Sequence, residues 1–180
     1  MEQNTCCCEN PGYEESGCCC GSEKEVKIDY LYLDLSTCDR CIGAAAVLDG
    51  VLDTLRPTLE LAGYQVLCQK REISNAELAE KYHFRSSPTI LVNGQDIFGP
   101  VVESDCGCCG EISGTQVNCR VFEYDGRFYT VPPKEMLAET ILKAVFSPPE
   151  TDDCGCYELP ENLKAFFNGK RNKAASGRRG

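Results

Sequence analysis

Two cysteines separated by two residues, Cys38 and Cys41, lie where the sequence predicts that a strand ends and a long helix begins. The free N–H groups and the positive dipole end of a helix N-terminus favour a thiolate over a thiol. With this spacing, one sulfur can attack a substrate disulfide and the other can resolve the mixed disulfide. The pair therefore predicts a redox site, with Cys38 as the more exposed nucleophile and Cys41 as the resolving thiol. The alternatives for the pair taken alone are half of a structural metal site, such as zinc, or two inert core cysteines.

Four further cysteines lie in a polar, glycine-rich segment that we treat as an insert over about residues 104–119; they are Cys106, Cys108, Cys109 and Cys119. Four thiolates can bind zinc tetrahedrally, but zinc ribbons usually carry paired C-x2-C knuckles, which this segment lacks. The adjacent cysteines suit a soft ion of low coordination number better than a regular knuckle. The insert therefore predicts either a thiolate metal site or an auxiliary redox relay with the first pair.

The remaining cysteine clusters lie towards the two ends of the sequence and consist of Cys6, Cys7, Cys8, Cys18, Cys19, Cys20, Cys154 and Cys156. Clustered thiols select soft ions, as in sites for Cu(I), zinc and iron–sulfur clusters. The same softness argument extends to Hg(II) and to As(III), which takes three sulfurs, and a cysteine triplet offers three locally. These cysteines are therefore further candidate ligands, and we expect no cofactor other than such an ion.

Two single residues carry less information. Cys68 falls within a predicted strand and is expected to be a small buried hydrophobe. His83 is the only histidine of the sequence, which excludes His-rich zinc sites. We expect it to be an ordinary loop residue.

The composition excludes several functional classes. The 180 residues carry a net charge of −10, and the pI of about 4.6 argues against a nucleic-acid-binding protein. No segment approaches the apolar length of a membrane span, and the N-terminus shows neither the basic nor the apolar region of a secretory signal. We therefore expect a cytoplasmic protein without membrane insertion. Its 15 cysteines are then expected to serve metal ligation or redox chemistry rather than a disulfide framework.

Hydrophobic periodicity predicts one α/β domain over residues 25–147. Its elements are a strand at 26–35, a helix at 41–61, a strand at 64–73, a helix at 76–82, a hairpin at 89–98, a second hairpin at 119–131 and a helix at 135–146. Pro57 should kink or break the first helix near Asp53.

The two ends of the sequence are poor in apolar residues. Residues 1–24 are expected to form a disordered, cysteine-rich arm, because they cannot offset the entropy of ordering. Residues 148–180 are expected to form a largely disordered tail with a basic end and at most a short helix at 161–167.

The predicted order of elements, with a cysteine pair at the first strand–helix turn, resembles the thioredoxin fold. Ser87-Pro88-Thr89 looks like the cis-proline loop of that family. The resemblance implies that Pro88 is cis and lies beside the cysteine pair, and that Ser87 and Thr89 receive an extended substrate. The sequence departs from thioredoxin in lacking tryptophan altogether. Tyr32 stands where that family carries a buried carboxylate; Asp34 is a candidate for the same role or, more simply, a residue next to the helix cap.

A narrower resemblance rests on Thr37-Cys38-Asp39-Arg40-Cys41, on the later cysteines and on Asn118-Cys119-Arg120. These motifs resemble a bacterial thioredoxin-like family filed as a domain of unknown function. The charged neighbours Asp39 and Arg40 shift the thiol pKa values in opposite directions, so their net effect stays open.

The sequence thus predicts a thiol–disulfide oxidoreductase-like protein with an α/β, thioredoxin-like fold, linked to the handling of a soft metal or metalloid. Its partners would be a thiol or disulfide substrate and a metal donor or acceptor protein. The alternative is a non-catalytic thiolate protein or metallochaperone for Zn, Cu, Hg or As. An iron–sulfur protein is the weakest of the three hypotheses.

Overall fold

Residues 24–147 and 157–176 are described by the computed structural model. They form a mixed α/β structure in which helices flank a mixed sheet. In chain order the elements are β1 (Lys24–Tyr32), α1 (Asp39–Leu61), β2 (Tyr64–Glu72), α2 (Ala76–Lys81), β3 (Thr89–Val92), β4 (Gln95–Asp96), β5 (Val102–Asp105), α3 (Gly107–Ser113), β6 (Asn118–Tyr124), β7 (Arg127–Tyr129), α4 (Lys134–Phe146) and α5 (Glu161–Ser176).

The larger sheet has the strand order β2-β1-β3-β4. Strand β1 runs parallel to β2 and antiparallel to β3, and α1 makes the crossover that a parallel pair requires. The turn Asn93-Gly94 then returns the chain into β4, with a positive φ at both residues, as the sequence predicted. Strand β1 ends at Tyr32, three residues earlier than expected, so a short loop separates it from the cysteine pair.

Helices α1 and α4 cover one face of this sheet. Their buried side chains form one apolar cluster with the strands; the cluster includes Val26, Ile28, Tyr30, Ala44, Leu48, Leu52, Ile90, Leu137 and Ile141. The expected break at Pro57 is wrong, because α1 continues without interruption to Leu61. Leu59 is buried in the last turn, and this packing outweighs the single backbone hydrogen bond that the proline removes.

The predicted insert is an ordered substructure. Strands β5, β6 and β7 form a second, antiparallel sheet, and α3 connects β5 to β6. The hairpin around Asp125-Gly126 is confirmed, with a positive φ at both turn residues. The insert therefore holds its cysteines on a short helix and at the start of a strand.

The expectation of a largely disordered tail is wrong for residues 161–176, which form α5. Leu163, Phe166 and Phe167 are spaced three and four residues apart, so they lie on one helix face, and all three are buried. This face packs mainly against α3 and also against α2. Gly169 permits the close contact, since a Cβ there would lie 2.4 Å from the carbonyl oxygen of Ser113.

Within the described ranges no helix is long and apolar enough to cross a membrane. The predicted arm at residues 1–24 lies outside these ranges except for its last residue. So do the cysteine clusters at both ends, which are Cys6, Cys7, Cys8, Cys18, Cys19, Cys20, Cys154 and Cys156.

Candidate functional site

Cys38 is the N-cap residue of α1, and Cys41 lies in the first turn of that helix. The preceding loop is held by Asp34, whose carboxylate accepts hydrogen bonds from the backbone N–H groups of Ser36, Thr37 and Cys38. Burial alone would raise the pKa of Asp34, but hydrogen bonds from the backbone and hydroxyl groups of Thr37 and Ser36 outweigh it and lower the pKa. Asp34 is therefore the cap-adjacent residue that the sequence favoured.

Both cysteines of this pair have no exposed surface, so the expectation that Cys38 is the more exposed thiol is wrong. The reason is the insert, which packs over the start of α1. The sulfurs of Cys38, Cys106 and Cys109 all lie within 4.8 Å of one another. The separation between the sulfurs of Cys109 and Cys38 is 3.8 Å.

Cys119 extends the cluster from β6, because its sulfur lies 3.4 Å from that of Cys109. The predicted metal residues Cys106, Cys109 and Cys119 are thus brought together. They do not form a site of their own but lie next to the Cys38–Cys41 pair. Cys108 is half-buried and is not one of the three cysteines whose sulfurs lie within 4.8 Å of one another. All seven cysteines in the described residues carry free thiols. We refer to Cys38, Cys41, Cys106, Cys109 and Cys119 as the thiol cluster.

Arg40, between the two cysteines of the first pair, fastens the insert to α1. Its guanidinium group donates hydrogen bonds to the backbone carbonyls of Ser104, Asp105 and Cys119, at 3.3 Å for Ser104 and 3.2 Å for Cys119. The sequence suggested only an electrostatic effect of this residue on the thiols. Its positioning role was missed, and no signal could have found it, because backbone carbonyls leave no mark in a sequence.

The Ser87-Pro88 peptide bond is cis, as the resemblance implied. Oγ of Ser87 lies 3.3 Å from the sulfur of Cys41 and accepts the N–H of Leu33 at 3.1 Å. The carbonyl of Ser87 accepts the backbone N–H of Arg120, on β6, at 2.8 Å. An extended substrate at Ser87 would therefore have to displace β6.

Thr89 is also buried, and its hydroxyl donates to the carbonyl of Ser86 at 2.7 Å. Both residues of the expected substrate surface thus have partners inside the protein. Their role in binding substrate stays a prediction.

Charge is distributed unevenly within the thiol cluster. The Cys38 thiol and the Ser87 hydroxyl hydrogen-bond to the sulfur of Cys41 and, against the effect of burial, lower the pKa of Cys41 to about 7. Hydrogen bonds from Cys109, Cys119 and Cys38 lower the pKa of Cys106. The contact with Cys106 raises the pKa of Cys38, which contradicts the depressed pKa expected at a helix N-terminus.

Contacts between sulfurs also shift the pKa values of the two remaining thiols, Cys109 and Cys119. The contact with Cys106 raises the pKa values of Cys109 and Cys119, and burial adds to the effect in both. Within the thiol cluster, the thiolate form is therefore favoured at Cys106 and Cys41.

His83 is the loop residue that the sequence indicated, whereas Cys68 is less buried than expected. His83 lies in an exposed loop with φ of 47°, and its ring stacks on Tyr157 with centroids 5.3 Å apart. Cys68 is half-buried on β2, and burial raises the pKa of its thiol.

Fold and site together define an α/β protein with a buried cysteine cluster where α1 meets a cysteine-bearing insert. The sequence matches, over residues 26–141, the family described as Domain of unknown function (DUF2703), and the protein belongs to that family. Comparison with curated proteins gives no match, and comparison with solved structures gives none either. The matched segment contains the whole thiol cluster and ends before α5.

Proposed function

We propose that the protein binds a soft metal or metalloid ion through the thiolates of Cys38, Cys106 and Cys109. The observation that carries this proposal is the group of three buried sulfurs within 4.8 Å of one another. Cys38 on α1 is far in the sequence from Cys106 and Cys109 at α3, so the folded chain holds the three sulfurs together before any ion arrives. Such preorganisation reduces the entropy that ion binding would otherwise cost.

The spacing of the sulfurs fits metal–thiolate bonds. Tetrahedral zinc with Zn–S bonds of about 2.3 Å places its sulfur ligands about 3.8 Å apart. The sulfurs of Cys38 and Cys109 have this separation, 3.8 Å. Three thiolates without a nitrogen ligand suit soft ions, and a trithiolate site also suits As(III).

The electrostatics of the thiol cluster support the same proposal. Burying a thiolate is costly unless a cation compensates its charge. The pKa of Cys106 is lowered by its thiol neighbours, which favours the thiolate form at this sulfur. An ion at Cys106 would offset that cost and would release the protons of Cys38 and Cys109.

A thioredoxin-like architecture is part of the proposal. It is supported by the parallel β1–β2 pair joined through α1, by the antiparallel β3, and by Ser87-Pro88 beside Cys41. In this fold the position that would receive an extended substrate is taken by β6 of the same chain. The metal donor or acceptor protein expected from the sequence belongs to the proposal as well.

Thiol–disulfide exchange at Cys38 and Cys41 is the second candidate function. It is favoured by the pKa of about 7 at Cys41, because a thiolate is the attacking species. Burial opposes it, since neither sulfur has exposed surface for a substrate disulfide. Catalysis of insulin disulfide reduction by the wild-type protein would support this second function over stoichiometric ion binding.

The test uses the full chain with serine at the eight cysteines outside the described residues, which we call the eight-serine chain. As(III), Hg(II) and Zn(II) are titrated anaerobically against a competing small thiol, which suppresses binding at exposed cysteines. We expect one tightly held equivalent of a soft ion, lost in Cys109→Ser. The matched control is Cys68→Ser, on β2, which should bind as before. Equal binding by the two variants would contradict the proposal.

A further inference from the structure

We propose that Cys109 and Cys119 form a redox-active dithiol that a small hydroperoxide converts to a disulfide, which releases the bound ion. The proposal rests on the function proposed above and adds its regulation. Its basis is the position of the Cys109 sulfur, which lies close both to a proposed ligand and to a cysteine outside the ligand set. Cys109 lies 3.8 Å from Cys38, a fellow ligand, and 3.4 Å from Cys119, which is outside the three-sulfur group.

Several hydrogen bonds hold Cys119 in place from both sides. Its carbonyl accepts from Arg40 at 3.2 Å, and the following N–H, of Arg120, binds the carbonyl of Ser87. The preceding residue, Asn118, is bound twice by the side chain of Asn162 on α5, through its N–H at 2.9 Å and its carbonyl at 2.6 Å. The strand that carries Cys119 is thus fixed to three different elements.

Cys109 is held equally well on α3. The hydroxyl of Ser113 donates to the carbonyl of Cys109 at 2.9 Å, one turn further along the helix. A disulfide needs its sulfurs at about 2.05 Å, so each sulfur has to move by well under 1 Å from the observed 3.4 Å. Rotation about χ1 can supply that movement without displacing either element.

The burial of the pair selects the oxidant. Both cysteines have no exposed surface, and Leu163 and Phe166 of α5 lie in the same apolar cluster. A glutathione or protein disulfide is too large to reach these sulfurs in the closed structure. Hydrogen peroxide is close to water in size and can reach a buried sulfur through small fluctuations.

The chemistry balances without another reactant. One sulfur of the pair loses its proton and attacks an oxygen of the peroxide, the O–O bond breaks, and the hydroxide that leaves takes up this proton to form water. The resulting sulfenic acid is attacked by the second thiol, the S–O bond breaks, and a second water leaves. Two electrons pass from the two sulfurs to the peroxide, which is reduced to two molecules of water.

Disulfide formation removes Cys109 from the ligand set. Two thiolates, Cys38 and Cys106, then hold an ion that was bound by three. Loss of one ligand of three weakens the site, and a competing thiol or chelator takes the ion. In this proposal Cys119 takes part only in the disulfide. Cys109 takes part in the disulfide and is also a ligand of the ion.

The experiment loads the eight-serine chain with Hg(II) or Zn(II), adds hydrogen peroxide, and follows release with a chromophoric chelator. Cys119→Ser keeps the three ligands and lacks the redox partner, so it should bind the ion and release it at least about tenfold more slowly. Cys68→Ser should release the ion at the rate of the parent. Equal release by the parent and Cys119→Ser would overturn the proposal.

Peptide mapping of the peroxide-treated parent without ion provides a reading that needs no variant. A Cys109–Cys119 disulfide is expected, and a Cys38–Cys41 disulfide in its place would overturn the inference. Failure of the parent to load an ion is seen before peroxide is added. Such a failure would count against the proposed function, whereas the peptide map would still show whether Cys109 and Cys119 form a disulfide.

Discussion

The contact of α5 with the cysteine-bearing helix α3 can be tested by the substitution Gly169→Ala, which adds one methyl group at the contact. A Cβ added at Gly169 would lie 2.4 Å from the carbonyl oxygen of Ser113 and 2.9 Å from Cγ2 of Thr115. The first of these atoms belongs to the backbone and cannot rotate away. Gly169→Ala must therefore push α5 outwards, which loosens the packing of Phe166 and Phe167 over the thiol cluster.

The expected magnitude follows from two opposing terms. Overpacking of this kind costs about 1–3 kcal/mol, whereas alanine gains about 1 kcal/mol over glycine in a helix. The net change is a loss of about 1 kcal/mol in the free energy of unfolding. Gly50→Ala in α1 is the matched control, since a Cβ there meets no atom within 4 Å. It should gain about 0.5–1 kcal/mol, so the two variants should differ by about 2 kcal/mol.

Urea unfolding of the reduced protein, followed by circular dichroism, measures this difference. For a chain of this length it corresponds to melting temperatures about 4–8 °C apart. Mass-mapped alkylation gives a second measure, because Cys109 should be labelled faster in Gly169→Ala than in Gly50→Ala. If Gly169→Ala stabilised the protein as much as Gly50→Ala, the packing of α5 on α3 described above would be wrong.

Three further predictions concern the surroundings of the thiol cluster. Arg40→Gln removes three hydrogen bonds to insert carbonyls and should speed alkylation of Cys119; the control Arg56→Gln loses one bond to a carbonyl on β2 and should leave that rate unchanged. Burial raises the pKa of Tyr30, so the folded state keeps a proton that the unfolded state loses above about pH 10. The free energy of unfolding should then fall from pH 10 to 11, and Tyr30→Phe should make the fall shallower; equal slopes would contradict this. Deletion of residues 1–23 should leave the fold intact and reduce the total capacity for Hg(II), as six cysteines are removed; an unchanged stoichiometry would exclude these cysteines as ligands.

Local features of the fold could be predicted from the sequence. The strand–helix junction at Cys38 and the turns at Asn93-Gly94 and Asp125-Gly126 depend on neighbouring residues, and the structure contains them. Asn75 caps α2, since its side chain accepts the N–H of Leu78. Only the start of α5 follows from the local pattern, because Leu163, Phe166 and Phe167 form an apolar stripe, whereas the basic residues after Phe167 predict a solvated tail.

The composition of the site could not be predicted in the same way. In the sequence, Cys38 and Cys41 predict one site, and Cys106, Cys108, Cys109 and Cys119 predict either a separate metal site or a redox relay with the first pair. The structure joins them because β6 pairs its backbone with Ser87 and because Arg40 binds carbonyls on β5 and β6. Because every residue has the same backbone groups, no residue pattern predicts which of them will form these hydrogen bonds.

Burial changes what a C-x-x-C pair at a helix N-terminus can do. The helix end favours a thiolate at Cys38, yet the neighbouring sulfur of Cys106 and the loss of solvent raise the pKa of Cys38. A closed site is poorly suited to the repeated entry of large disulfide substrates, since each turnover would require the insert to leave Ser87. The same closure excludes water from bound thiolates and holds several sulfurs at ligand spacing without further folding. The burial and the close sulfur spacing that weaken the redox interpretation are thus the features that favour an ion held by thiolates. In the proposal above, oxidation acts on that ion through the contact between Cys109 and Cys119.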